Sequence, residues 1–185
     1  VKGTETTTYS VANGAIKGGQ YADVRARGLA YGPNNTVWFG AYGFFHKFDG
    51  KEWTNYTCPA SNFGRIYYKC FAFDSNGTVW VAGSDQQKNA TFGEFDPVKG
   101  EQTPVACDFA DNGVNSMFVD ANDNVWIGTD SKGFYKYDGS TFVNYNKDSD
   151  ANIDVTIKTN ATIGLCQAAN GDIYYAFNKS LVSFS

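Results

Sequence analysis

The stretch NNTVWFG, residues 34–40, returns as NGTVWVAG at 76–83, as NDNVWIGT at 122–129 and, in a weaker form, as NGDIYYAF at 170–177. These copies align on an aromatic anchor and follow one another at intervals of 42, 46 and 48 residues, the anchors being Trp38, Trp80, Trp126 and Tyr174. A period of this length is typical of a propeller blade, which is a sheet of four antiparallel strands. The sequence therefore predicts one structural unit repeated four times.

Each repeat carries strand and turn signals in the same order. A large apolar residue lies nine positions before each anchor, and a small residue directly precedes that apolar residue. The pairs are Gly28-Leu29, Cys70-Phe71, Ser116-Met117 and Gly164-Leu165. This alternation suits an innermost strand whose two faces are both covered by neighbouring blades. The Asn turn before each anchor predicts a two-residue type I′ hairpin, because Asn and Gly tolerate positive φ.

The two chain ends together predict how the ring closes. The last repeat stops after its third strand, whereas the N-terminal VKGTETTTYS parallels VKGEQTPVA at 98–106, the outer strand of the second repeat. We therefore predict an all-β propeller of four blades with four antiparallel strands each, in which residues 4–10 complete the last blade. The single domain 1–185 would contain repeats at about 21–57, 66–106, 113–146, and 161–185 plus 1–11. The four anchors are predicted to pack between adjacent sheets.

Two longer stretches resemble a known family. GLAYGPNNTVWFGAYGFFHKFDGKEWTNYT and VNSMFVDANDNVWIGTDSKGFYKYDGSTFVNY are similar to the two-component regulator propeller repeat, and the resemblance spans about 24–184. Proteins of this family include sensor-like bacterial propellers, often outside the inner membrane ahead of a histidine kinase, and stand-alone secreted proteins. The resemblance implies a sensor-like role. It transfers no catalytic residue, because the shared motif is structural, and family propellers usually carry more than four blades.

Composition excludes several classes of function. The net charge is -4 and no Lys/Arg stripe offers phosphate neutralisation, so nucleic acid is not an expected partner. No apolar run approaches the roughly 20 residues that span a bilayer, so no membrane insertion is expected. The chain begins at Val1 rather than Met, and we expect a periplasmic or secreted protein whose signal peptide has been removed.

Residues that could support catalysis or metal binding are few. The cysteines Cys58, Cys70, Cys107 and Cys166 match no zinc spacing and are either buried thiols or include one disulfide. The only histidine, His46, has no obvious catalytic partner and is expected on an exposed or edge-lying strand position. Asp74 and Asp120 begin stretches that resemble calcium loops but fit turns better. No catalytic residue, metal or cofactor is predicted, and the chain is expected not to be an enzyme.

The loops of one rim vary most in length between repeats, which is where a rigid ring usually places recognition. The residues there that combine aromatic faces with hydrogen-bonding groups are Tyr42, Arg65, Tyr67, Asp85, Gln86, Lys88, Asp130 and Lys132. We predict that they bind an oligosaccharide or another polar small ligand. The main alternative is a scaffold for a protein partner or a homo-oligomer, and a carbohydrate-active enzyme comes third.

Overall fold

Each repeat forms one antiparallel sheet. The structure is a computed structural model, and it describes residues 6–10, 12–16, 28–41, 43–57, 66–85, 89–109, 113–146, 164–177 and 180–184. Blade one contains β1 (Gly28–Gly32), β2 (Thr36–Ala41), β3 (Phe44–Phe48) and β4 (Trp53–Thr57). Blade two contains β5 (Tyr67–Phe73), β6 (Val79–Ser84), β7 (Ala90–Asp96) and β8 (Glu101–Pro104). Blade three contains β9 (Val114–Val119), β10 (Val125–Thr129), β11 (Phe134–Tyr137) and β12 (Phe142–Tyr145). Blade four contains β13 (Gly164–Gln167), β14 (Ile173–Phe177) and β15 (Ser180–Phe184).

The strands of every sheet are hydrogen-bonded in chain order, from an innermost first strand outward. The innermost strands pack against one another in the same order, β1 on β5, β5 on β9 and β9 on β13. Four antiparallel blades arranged in this way around one axis form a β-propeller. The predicted all-β propeller of four blades is confirmed.

Three apolar clusters fill the junctions between consecutive blades. The Trp38 ring stacks on Tyr56 at 5.8 Å between centroids and meets Phe95 of blade two edge-on at 6.4 Å. Trp80 is equally buried and faces blade three, while Trp126 faces Ile173 and Tyr175 of blade four. The predicted packing of these three Trp anchors between blades is therefore confirmed.

The fourth anchor differs from the other three. Tyr174 is half-buried, and it lies between Ile173 and Tyr175, whose side chains pack on blade three. Because side chains alternate along a strand, Tyr174 lies on the opposite face of blade four. It therefore points away from the rest of the packed blades.

The turns before the anchors follow the prediction in blade one only. Asn34 and Asn35 have φ of 56° and 59°, as a type I′ turn requires. In the other blades the connection has the same length but a different turn, which closes with a bond between its first and fourth residues, such as Gly77 N to Asp74 O at 3.0 Å, and the fourth residue alone has positive φ. The type I′ prediction is wrong there.

An acidic side chain stabilises the turns of blades two and three. The Asp120 carboxylate accepts hydrogen bonds from the backbone of Asn122 and Asn124 and, at 2.8 Å, from the indole Nε1 of Trp126. Asp74 accepts equivalent bonds in blade two, with Trp80 Nε1 at 3.4 Å. These carboxylates are thus engaged in stabilising turns and anchors, which agrees with turn chemistry rather than calcium ligation.

Hydrogen bonds also join these turns between blades. Asp123 of blade three accepts bonds from Ser75 of blade two, at 2.8 Å from the backbone nitrogen and 2.5 Å from the hydroxyl. The backbone nitrogen of Ala121 donates to the Gln167 side chain of blade four at 3.0 Å. Blades two, three and four are therefore linked along the edge that carries these turns, which we call the turn edge.

The predicted closure by an N-terminal strand is not confirmed. Residues 6–10 contain no strand, and residues 1–5 lie outside the described part of the chain. The Tyr9 ring lies instead against blade one, 5.1 Å from Phe48 and 5.3 Å from Trp53. No helix among the described residues has the length and apolar character needed to cross a membrane.

Candidate functional site

The edge opposite the turn edge is the rim on which ligand binding was predicted. The sheet registers place the start of each first strand beside the end of each second strand, as in Tyr67 opposite Ser84 and Val114 opposite Thr129. Tyr67, Asp85, Asp130 and Lys132 therefore share this rim. The predicted binding residues Tyr42, Arg65, Gln86 and Lys88 lie outside the described residues.

A tight hairpin forms the rim of blade three. Thr129 is fully buried, and its hydroxyl donates to Gly133 O at 2.7 Å while accepting from Lys132 N at 3.0 Å. Gly133 has φ of +77°, and a Cβ there would lie 2.2 Å from Tyr145 O, so only glycine fits. The hairpin is therefore held rigidly from within and against the outer strand.

This hairpin positions one acidic and one basic group. The Lys132 ammonium donates to Asp108 O at 2.8 Å, which ties the hairpin to the segment that precedes β9. The Asp130 backbone nitrogen donates to Gly113 O at 2.8 Å. A Cβ built on Gly113 would lie 2.6 Å from Asp130 Oδ2, so the carboxylate lies against this glycine, at the start of the innermost strand.

On blade two, the Asp85 carboxylate forms hydrogen bonds within its own loop. Asp85 is buried, and its carboxylate accepts from Asn89 N at 2.8 Å and from Asn89 Nδ2 at 2.7 Å. These bonds close the loop between β6 and β7. Asp85 therefore shapes the loop, while the half-buried Tyr67 presents an aromatic group beside it.

His46 does not occupy the exposed or edge-lying position that was expected. It is fully buried, stacks on Phe39 at 4.4 Å between ring centroids, and its Nδ1 lies 2.5 Å from Asn55 Oδ1. Burial lowers the pKa of His46 more than the hydrogen bond to Asn55 Oδ1 raises it, so the ring is neutral at physiological pH. The prediction was wrong because Phe39, His46 and Asn55 form one cross-strand row on a covered face.

The cysteines at the described positions are free thiols. Cys70 is buried, Cys107 is half-buried and Cys166 is exposed, and all three are free, whereas Cys58 lies outside the described residues. Burial raises the pKa of Cys70 to about 12. Among the described residues no cluster of His, Cys, Asp or Glu has metal-binding geometry.

Three residues of the rim were missed by the sequence analysis. Thr129 and Asn89 hold the loops of blades three and two, and the Asn144 side chain donates to Lys132 O at 2.9 Å from the outer strand. A usable signal was present for Asp85, because Asp side chains readily accept hydrogen bonds from nearby backbone groups. The described rim thus offers a carboxylate, an ammonium group and an aromatic ring on rigid supports, which suits polar recognition.

The sequence profile described as the two component regulator propeller matches residues 108–131, which run from the linker before β9 to the rim hairpin of blade three. This segment matches the two-component regulator propeller repeat. This match confirms the resemblance drawn from the sequence. No curated protein matches this chain significantly.

Several solved structures have a fold similar to that of this chain. The extracellular domain of BT4673 from B. thetaiotaomicron, a candidate one-component system, is 15% identical with a TM-score of 0.67, covering 85% of this chain and 21% of that chain. Catalytically inactive virginiamycin B lyase from Staphylococcus aureus, with quinupristin, is 14% identical with a TM-score of 0.64, covering 89% and 57%. YCF48 bound to the D1 peptide is 14% identical with a TM-score of 0.63, covering 89% and 52%. At such identities the similarity establishes the fold alone, and the chain spans between a fifth and about half of these structures.

Proposed function

We propose that this chain is a sensor-like recognition propeller that acts in the periplasm or as a secreted protein and catalyses no reaction. Its ligand is an oligosaccharide or another polar small molecule that binds at the rim. The similarity to the extracellular domain of BT4673 supports the sensor-like role and the compartment. The matched repeat supports the same role.

The proposed binding site rests on one contrast: the rim loops differ in length between blades, whereas the blade-three hairpin holds its side chains in fixed positions. The rim loops between second and third strands span residues 42–43, 85–89, 130–133 and 178–179, so they differ in length from blade to blade. The blade-three hairpin nevertheless fixes Asp130 and Lys132. The Lys132 backbone nitrogen donates to the buried Thr129 hydroxyl and its ammonium group to Asp108 O, while the Asp130 backbone nitrogen donates to Gly113 O. Carboxylates accept paired hydrogen bonds from vicinal hydroxyls and ammonium groups donate to them, which is the chemistry that sugars present.

An enzyme has weaker support from the same residues. His46 is fully buried and partnered by Asn55, which withholds the single histidine from any substrate. The similarity to virginiamycin B lyase is a similarity of fold at 14% identity. We therefore assign recognition rather than catalysis to the rim.

Thermal shift with a panel of neutral and acidic oligosaccharides tests the proposal. A ligand at a hundredfold excess over its Kd stabilises the folded state by about 2.7 kcal/mol, or roughly 5–10 °C in Tm for a domain of this size. Asp130→Asn should abolish the shift. Glu101→Gln removes one negative charge from the exposed outer strand of blade two and should keep it.

Two results would contradict the proposal. One is the absence of any Tm shift across the panel, and the other is an equal loss of the shift in both variants. A Tm shift that Asp130→Asn leaves intact would place the site away from the blade-three rim. Turnover of an oligosaccharide by the wild-type chain would restore the enzyme alternative.

A further inference from the structure

Two innermost strands carry a β-bulge at the same position of the repeat. The register of β5 against β6 shifts between Tyr68 and Cys70, so Lys69 is the extra residue there. The register of β9 against β10 shifts in the same way, and Asn115 is the extra residue. Both residues lie eleven positions before the Trp anchor of their repeat. β-Bulges are frequent beside functional sites, because the extra residue points its side chain in a direction that a regular strand does not offer.

The Lys69 side chain reaches solvent on the axial side of blade two. Tyr68 packs on blade one, with its ring centroid 5.3 Å from that of Phe45, and Cys70 packs in the cluster between blades two and three. The outer edge of β5 is paired with β6, so the edge that faces the axis of the propeller is the one left open. Lys69 is half-buried at this edge.

Asn115 occupies the corresponding place on blade three. Val114 is fully buried against blade two, the Ser116 hydroxyl oxygen is buried as well, and β10 covers the outer edge of β9. The half-buried Asn115 side chain therefore reaches the same axial side. Because β5 packs on β9 and the two bulges occupy equivalent positions, Lys69 and Asn115 are neighbours across the junction between blades two and three.

These two groups are available to a ligand. The ammonium group of Lys132, on the neighbouring hairpin, already donates to Asp108 O at 2.8 Å. Within the described part of the chain, by contrast, no hydrogen bond or ion pair engages the Lys69 ammonium or the Asn115 amide group. An ammonium group beside an amide NH2 presents several donors, and a carboxylate accepts strong charge-assisted hydrogen bonds from such donors.

We propose that Lys69 and Asn115 bind a carboxylate group of the rim ligand, so that this ligand is an acidic oligosaccharide rather than a neutral one. The inference rests on the proposed recognition function and specifies its substrate class. The Asp130 carboxylate lies against Gly113, which precedes Asn115 by two residues, or roughly 6 Å of chain. A sugar carboxylate at the bulges therefore leaves hydroxyl groups of the same glycan near Asp130, which accepts their hydrogen bonds.

Isothermal titration calorimetry with matched pairs of glycans tests the inference. The probes are trimers of galacturonic, glucuronic and mannuronic acid together with their carboxyl-reduced forms, so the members of each pair differ only in the carboxylate groups. The wild-type chain should bind the acidic member of at least one pair more tightly than the neutral member, by about tenfold or more. Lys69→Gln should remove this preference by lowering the affinity for the acidic member about tenfold, while the affinity for the neutral member changes by less than about twofold.

Further variants separate the charge from the fold. Lys69→Arg keeps the positive charge and should retain most of the preference, whereas Asn115→Ala removes a neutral donor and should cost about threefold in affinity for the acidic member. The matched control is Lys51→Gln, which removes the same charge from an exposed residue of the β3–β4 turn, at the end of the blade opposite the rim, and should leave both affinities unchanged. Circular dichroism and unfolding midpoints verify that each variant is folded.

Three outcomes overturn the inference while glycan recognition itself stands. Equal affinity for the acidic and neutral members of every pair shows that no carboxylate is recognised. An acidic preference that Lys69→Gln leaves intact shows that the carboxylate binds elsewhere. Equal weakening by Lys51→Gln shows a non-specific effect of charge. If neither member of any pair binds, the proposed function fails as well, so the two failures are distinguishable.

Discussion

Asp120 offers the sharpest test of how the repeat is stabilised. Its carboxylate accepts a 2.8 Å bond from the buried Trp126 Nε1 and 2.9 Å bonds from the backbone of Asn122 and Asn124. Removing it by Asp120→Ala deprives the indole of this partner, at a cost of about 1–3 kcal/mol. The turn amides lie near solvent and add about 1 kcal/mol more. We therefore expect the free energy of unfolding to fall by about 2–4 kcal/mol.

Blade two contains the matched comparison. Asp74 makes the same turn bonds, but its contact with Trp80 Nε1 is 3.4 Å long and correspondingly weak. Asp74→Ala should therefore cost only about 1–2 kcal/mol. Urea unfolding followed by tryptophan fluorescence and far-ultraviolet circular dichroism measures both values. Equal costs, or a cost below about 0.5 kcal/mol for Asp120→Ala, would refute the assigned role of the indole bond.

The pH dependence gives an independent check on the same carboxylate. Burial raises the pKa of Asp120, but hydrogen bonds from Trp126, Asn124 and Asn122 together outweigh it and hold the pKa below the ordinary 3.8. A depressed folded-state pKa means that the stabilisation is present above pH 3.8 and is lost as the pH falls through the lower folded value. The difference in stability between wild type and Asp120→Ala should therefore shrink below about pH 4.

Three further predictions follow from the described contacts. Gly133→Ala should destabilise the chain by about 2–3 kcal/mol, whereas Gly139→Ala, with φ of +94° and open space around it, should cost about 1 kcal/mol; equal Tm losses would contradict this. Cys166 should react rapidly with a thiol reagent in the native state while Cys70 reacts only on unfolding, as peptide mapping can show; early labelling of Cys70 would exclude its burial. Because the pKa of His46 is lowered from 6.5, stability should fall as the pH drops from about 7 to 5, and His46→Gln should flatten that slope in urea titrations.

Most of the fold was predictable because the repeat encodes it locally. The Trp anchors and the small-large pairs recur at one period, and the structure places Trp38, Trp80 and Trp126 between blades as expected. The turn type was not predictable from Asn-Gly alone. Asp74 and Asp120 provide side-chain acceptors for the turns of blades two and three, and blade four forms the same turn with Ala168 at that position, whereas blade one has Gly32 there and places two positive φ angles at Asn34 and Asn35.

The parts that failed depend on contacts between distant strands. His46 is buried because β2 and β4 place Phe39 and Asn55 beside it, and strand pairing of this kind is invisible in a local pattern. Leu29 matches the buried Phe71 in sequence, yet it is 78% exposed, whereas Phe71 packs against Trp38 of the neighbouring blade. Loop length correctly placed Asp85 and Asp130 on one rim but could not show that Asn89 already occupies the Asp85 carboxylate.

The hydrogen bonds along the turn edge have a mechanical consequence. Ser75 with Asp123, and Ala121 with Gln167, join neighbouring blades at one end of strands about 20 Å long. Relative rotation of blades two, three and four therefore pivots at the turn edge, and the largest displacement falls at the opposite end. A rotation of about 5° moves the rim by roughly 1.7 Å, about half a strand residue. A ligand that bridges two blades at the rim therefore changes the angle between these blades, and a signal could depend on this angle.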